Sequence, residues 1–167
     1  METIYLKADA PGLTEICSSA VAVDHNIANQ LTITQQPSST ATAAIALSTQ
    51  PSLQVLDAYN NNVDDGIHNL SVTPWSSSDC STTASSGTTT YSAPATSSGT
   101  ATFTDLAHQK MESIYFKIAS GSLTSVCTND VNVDHNSAYQ IAINQQPSNT
   151  AIAGIDLATQ PGFDILD

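Results

Sequence analysis

A chain of 167 residues with 3 Lys, no Arg and 15 Asp plus Glu carries a formal net charge of −12. That charge repels a phosphate backbone and excludes nucleic acid as a partner. The length allows one domain of ordinary size plus remainder, or two small ones, and no apolar run is long enough to span a membrane as a helix. Twenty-two Ser and 21 Thr against only 11% charged residues favour pleated structure over amphipathic helices, and 40% hydrophobic content suffices for a core.

In chain order, the first feature is one that returns. Met1-Glu-Thr-Ile-Tyr-Leu-Lys7 recurs as Met111-Glu-Ser-Ile-Tyr-Phe-Lys117, Cys17 as Cys127, Asp24-His25-Asn26 as Asp134-His135-Asn136, and Gln35-Gln36-Pro37-Ser38 as Gln145-Gln146-Pro147-Ser148. At an offset of 110 the 57 overlapping residues share 30 identities. Self-similarity over such a period is the mark of a repeat architecture. Because Met111 sits inside a strand-like segment, Met1 need not be an initiator, and its surroundings lack the basic and apolar regions of a secretion leader. The sequence therefore reads as a window on a longer tandem array. Asp24-His25-Asn26 is a polar break between two apolar alternations, which phases the array. Residues 1–23 are expected to be the last strands of one domain, 24–133 a complete domain, and 134–167 the first strands of the next.

Within 24–133 the apolar period is two. It runs through Leu31 and Ile33, then Ala43, Ile45 and Leu47, then Leu53 and Val55. Ile67, Val72, Phe103 with Leu106, Ile114-Phe116-Ile118, Val126 and Val131-Val133 continue it. Turn clusters such as Tyr59–Asn62, Asp64-Asp65-Gly66 and Ser97-Ser98-Gly99 separate these runs. Seven to nine short strands in about 110 residues is the β-sandwich number, and no segment reads as a helix.

The three cysteines fit this phase. Cys80 and Cys127 fall in one repeat and are expected to form a disulfide, while the partner of Cys17 would lie upstream of the window. The pairing ties down the Ser-rich excursion that follows Trp75 and implies an oxidising, extracellular compartment.

Pro51-Ser-Leu-Gln-Val-Leu-Asp57-Ala-Tyr-Asn-Asn61-Asn-Val63 resembles the second-strand motif of bacterial immunoglobulin-like domains of the invasin and intimin type. Gly99-Thr-Ala-Thr-Phe103-Thr-Asp-Leu106 and Ile114-Tyr-Phe-Lys-Ile118 are similar to that family's penultimate strands. Asn60 or Asn61 stands where the family usually has Gly, a substitution that Asn tolerates because it visits left-handed backbone. A disulfide is not a general feature of that family. The resemblance implies an immunoglobulin-like sandwich in tandem, on the cell surface, serving as a stalk or fibre for adhesion or surface architecture. Its partners would be neighbouring identical repeats, with a host or surface ligand left open.

No motif for nucleophilic, metal-dependent or dinucleotide chemistry is present, and the reading is against catalysis. No cofactor is required. Calcium is the candidate ion, because oxygen-rich loops bind hard cations. Asp24 and Asn26, with their counterparts Asp134 and Asn136, form one candidate site at the junctions. Asp57, Asn60, Asn62, Asp64 and Asp65 form the other, within the domain. The competing reading is that Asp and Asn there cap their own turns. Trp75, the only Trp, is expected either in the core or as a platform, with residues 76–98, for a sugar or protein ligand. Lys117 points away from the Ile114-Phe116-Ile118 face, which argues against an isopeptide cross-link. Short subunits completing each other's half-domains are disfavoured, since the equivalents of 58–110 would be missing.

Overall fold

The computed structural model describes residues 2–167; Met1, and the reading that it need not be an initiator, lie outside the described residues. Every element is a strand, in several sheets, as the composition predicts. The first segment holds β1 (Glu2–Ile4), β2 (Lys7–Ala8), β3 (Ile16–Cys17) and β4 (Val21–Val23). Then come β5 (Ala28–Gln35), β6 (Thr40–Thr42), β7 (Ser52–Asp57), β8 (Ser71–Trp75), β9 (Thr89–Thr90), β10 (Thr100–Thr102), β11 (Ala107–His108), β12 (Glu112–Ala119), β13 (Val126–Cys127) and β14 (Val131–Asp134). The last segment holds β15 (Gln140–Gln145) and β16 (Gly162–Leu166).

Residues 28–134 pack two sheets face to face. One has the order β10-β7-β5; in the other β12 pairs with β8, β13 and β14, and β14 pairs in parallel with β6. Alternation decides which side chains meet. On β7, Leu53, Val55 and Asp57 are buried between half-exposed Ser52, Gln54 and Leu56, and on β12 Ile114, Phe116 and Ile118 point inward. With Leu31, Val72, Phe103, Leu106, Val131 and Val133 these form one contiguous core. Such an architecture fits a β-sandwich.

Three expectations are corrected. Ala43, Ile45 and Leu47 are not a strand. Ala43 and Leu47 are buried and Ile45 is exposed, but the backbone turns at Ala44 (φ 62°). The N–H groups of Ala43, Ala44 and Leu47 donate to the carbonyls of Asp134, His108 and Leu106 at 2.8, 2.8 and 2.9 Å. Three separate neighbours, not one ladder, set that burial pattern. Ile67 lies in no strand and is 78% exposed, in the loop that follows Gly66 (φ 75°). Strands between 24 and 134 number ten, because β9, β11 and β13 are two-residue additions beside the excursion and the last turn.

The terminal segments repeat pairings of the middle at the same offset. Glu2 faces Val23 in β1–β4 as Glu112 faces Val133 in β12–β14, and Lys7 faces Cys17 in β2–β3 as Lys117 faces Cys127 in β12–β13. The β15–β16 hairpin likewise repeats β5–β7, with Ile141 opposite Ile165 as Leu31 is opposite Val55.

Candidate functional site

The oxygen-rich cluster forms where the Asp24–Asn26 break meets the turn after β7. Asp57 is fully buried at the end of β7 and accepts four hydrogen bonds. Its Oδ2 takes the Asn26 N–H and the Asn61 Nδ2 amide, both at 2.9 Å, and its Oδ1 takes the N–H groups of Tyr59 at 2.8 Å and Asn61 at 2.9 Å. Asn60 sits in the left-handed region (φ 66°), and its side-chain oxygen accepts from Gln30 Nε2 at 2.8 Å. Burial opposes ionisation of Asp57, but the Asn61 amide and the N–H groups of Asn26, Asn61 and Tyr59 outweigh it and hold the carboxyl far below the usual carboxylate range.

Both oxygens of Asp57, one of the calcium candidates, face positive N–H dipoles. Each of the junction candidates has one oxygen engaged by a neighbouring N–H. Asp24 Oδ1 accepts the His25 N–H at 2.8 Å, and Asn26 Oδ1 accepts the Ile27 N–H at 2.8 Å. Asp134 Oδ1 accepts the His135 N–H at 2.8 Å, and Asn136 Oδ1 accepts the Ser137 N–H at 2.7 Å. Among the described residues no group of three or more His, Cys, Asp or Glu is arranged to hold a metal ion.

Asp64 and Asp65 face His25 instead. His25 Nδ1 lies 2.9 Å from the Asn26 carbonyl and Nε2 lies 3.2 Å from Asp64 Oδ1, with Asp24 and Asp65 oxygens at 4.0 Å. Both ring nitrogens thus meet acceptors, which calls for two N–H groups and the imidazolium form. The Asn26 carbonyl raises the His25 pKa most; desolvation opposes it, and Asp24, Asp64 and Asp65 add to the rise. At the second junction His135 is 70% exposed in its side chain, and the Asn136 carbonyl and Asp134 raise its pKa. The same hook recurs there, since the Asn136 N–H donates to Asp167 Oδ2 at 2.6 Å as Asn26 does to Asp57.

The two groups act oppositely on stability. A depressed Asp57 contributes above its unfolded value of about 4, and that contribution is lost as pH falls towards its folded value. A raised His25 contributes below about 6.5 and loses its contribution as pH rises through its folded value. Asp57→Asn, which points an amide at four N–H donors, should lower the unfolding midpoint by several degrees at pH 7 and flatten its decline below pH about 4. Histidine titration by NMR should give both His25 and His135 pKa values above the ordinary one, and Asp64→Asn should lower that of His25 while leaving His135 unchanged.

The excursion is anchored at three places. Cys80 and Cys127 are joined by a disulfide with Cα atoms 5.9 Å apart, while Cys17 is exposed and free. Tyr91 accepts the Val72 N–H through its hydroxyl at 2.9 Å and stacks edge-on against Phe103. A polar network that the sequence did not reveal forms the third. Buried His108 contacts Thr89 Oγ1 through Nδ1 at 3.0 Å and Glu112 Oε1 through Nε2 at 2.9 Å. Ser85 Oγ also donates to Glu112 Oε1, and Lys110 Nζ donates to Glu112 Oε2 at 3.1 Å. Burial raises the Glu112 pKa, but the Ser85, His108 and Lys110 hydrogen bonds outweigh it and the carboxyl is held low. Thr89, His108 and Glu112 follow the order of an acyl-transfer relay. The imidazole is sealed, however, because a Cβ at Gly87 would lie 2.4 Å from His108 Nε2. The arrangement pins a loop.

Trp75 is not in the core. It is half-buried on the outer face of its sheet, opposite Tyr115, with Lys117 Nζ 5.4 Å from the ring centroid and its own Nε1 donating to Thr73 Oγ1 at 3.0 Å. Lys117 thus points outward, and its ammonium covers one ring face that a sugar would use.

No family model matches this chain, and no curated protein does. Among solved structures it is similar to the S-layer protein SbsC, domains 4 and 5, with 17% identity and a TM-score of 0.44 over 79% of this chain. The chain spans 65% of that structure.

Proposed function

We propose that this chain is a section of a long extracellular fibre or adhesin stalk, built from immunoglobulin-like sandwiches of the invasin and intimin type in tandem, whose work is reach and stiffness and not catalysis. The observation that carries this reading is the recurrence of whole local structures at one offset. The strand pairs at 2–23 match those at 112–133, and the Asn136–Asp167 hook matches Asn26–Asp57. A repeat that keeps its turns, caps and registers is keeping a structural unit. The disulfide supports an oxidising compartment outside the cell. Stiffness has a local source too, since Asn136 Nδ2 donates to the Ala43 carbonyl at 3.2 Å and so ties the third segment to a loop of the second. In such an array, stability is approximately a sum over repeats and their nearest-neighbour contacts. Denaturing, reducing electrophoresis of the protein from its native source should show one polypeptide many times longer than 17.4 kDa. A band at 17.4 kDa would overturn the array.

A further inference from the structure

We infer that the central sandwich bears tension between its two junctions, with residues 29–43 and 124–134 as a parallel clamp that axial load must shear, and with the Cys80–Cys127 bond limiting what a broken clamp releases. The fibre reading supplies the load; the clamp is read from the fold.

The first and last segments of the domain run side by side in one direction. Leu31 N–H donates to the Thr124 carbonyl at 3.0 Å and Thr124 N–H to the Asn29 carbonyl at 2.9 Å, and Gln30 makes a parallel bridge with Thr124. Asn129 N–H donates to Gln36 Oε1 at 3.0 Å, and Asn132 N–H to the Ser39 carbonyl at 2.9 Å. β6 then pairs in parallel with β14, Asn132 opposite Thr40 and Asp134 opposite Thr42, and the Ala43 N–H closes the series on the Asp134 carbonyl at 2.8 Å. Each later residue of one segment meets a later residue of the other, so the direction never reverses. One segment leads in from the Asp24 junction and the other leads out at Asp134.

Pulling the first segment by its N-terminal end and the last by its C-terminal end slides them past each other along their length. Sliding loads all of these bonds together. Forced unfolding is set by the unfolding rate, and a barrier that requires many bonds to break at once is crossed far more slowly than one that lets them open singly. Neither segment can lift away first, because β5 is laddered to β7 and β14 to β12, and the side chains of Leu31, Ala43, Val131 and Val133 are buried in the core. The same burial keeps water from replacing a strained bond. All but one of these contacts join main chain to main chain, so the clamp tolerates side-chain differences between repeats. The exception is Gln36, and it returns as Gln146.

Cys127 lies within the second segment, and its bond to Cys80 takes the 47 residues between them out of the force path. A broken clamp therefore releases only the chain before Cys80 and after Cys127. The loop that holds β10 and β12 carries no load.

Single-molecule force spectroscopy on the 167-residue chain tests both parts. Handles fused at the two termini apply the axial load. Handles at the N-terminus and at Ser122→Cys, in a Cys17→Ser background, pull instead at the end where Thr124 meets Asn29 and peel the same bonds one after another. The central domain should rupture at a force several times higher with the first pair than with the second. Asn132→Pro, which removes the donor to Ser39, should lower the axial force and spare the lateral one. Dithiothreitol should lengthen the total axial extension by about 160 Å, since 47 residues at about 3.6 Å each are withheld by a bond that itself spans 5.9 Å. Equal forces in the two directions, or an axial force that Asn132→Pro does not lower, would overturn the clamp, and an extension unchanged by dithiothreitol would overturn the limit. A short native polypeptide would remove the fibre and leave the clamp, whereas equal forces would remove the clamp and leave the fibre.

Discussion

Cys80→Ser combined with Cys127→Ser should destabilise the central sandwich by about 4 kcal/mol, which in a domain of this size lowers the unfolding midpoint by about 15 °C. The two cysteines are 47 residues apart, so the bond closes a long loop in the unfolded chain and removes much of its freedom. The loop it closes contains the Ser-rich excursion, β10 and all of β12. In the folded state the bond adds little that is not already there, because Tyr91, Ser85 and Thr89 hold the excursion independently. The loss should therefore appear mainly through the unfolded ensemble. Urea unfolding of the double variant should show a lower midpoint together with a steeper slope, as the unfolded chain exposes more surface once released. Alkylation provides the internal control. Exposed Cys17 should react equally in both proteins, while Cys80 and Cys127 should react in the parent only after reduction. A double variant with the parent's midpoint would mean that the excursion is held by its polar anchors alone.

Strands with one face inward were legible because burial there has a period that sequence can carry. Leu53 and Val55 on β7, and Ile114, Phe116 and Ile118 on β12, are inward in sequence and in space alike. Ala43 and Leu47 carry the same period without a strand. Their backbone is held by the carbonyls of Asp134, His108 and Leu106 and by a left-handed Ala44, and nothing local in the sequence encodes those distant partners. The network around Glu112 was hidden for a related reason, since Ser85 approaches it from 27 residues away. The surroundings of Asp57 were legible in part, because Asp and Asn clusters serve cations and turns with the same atoms. Two of the four donors to Asp57, Tyr59 N–H and Asn61 N–H, are two and four residues ahead, a local capping pattern that the sequence does contain. The repeat was legible in full, because identity at a fixed offset needs no structural theory.

Gly99→Ala should cost about 3 kcal/mol or more, the reverse of the small gain that a Gly to Ala change brings where the backbone accommodates it. Gly99 has φ 71°, and a Cβ there would lie 2.0 Å from the Val63 carbonyl oxygen and 2.9 Å from its carbon. Left-handed backbone alone costs an L-residue roughly 1–2 kcal/mol. The remainder is steric, and the obstacle is main chain and not a flexible side-chain tip. Val63 cannot retreat freely, because it is fully buried and its N–H donates to the Val55 carbonyl at 3.0 Å, while the Gly99 carbonyl accepts the Val55 N–H at 2.8 Å. Gly121→Ala separates the two costs. Gly121 has φ 50°, and a Cβ at that position would meet nothing within 4 Å, so it bears the conformational cost without the clash and should lose only about 1 kcal/mol. The clash also has an address in the candidate site, since Val63 immediately precedes the Asp64 that faces His25. Gly99→Ala should therefore lower the His25 pKa as well as the unfolding midpoint, whereas Gly121→Ala should leave His25 alone. Equal losses in the two variants would show that the 63–65 turn yields to a methyl group and does not hold Asp64 in place.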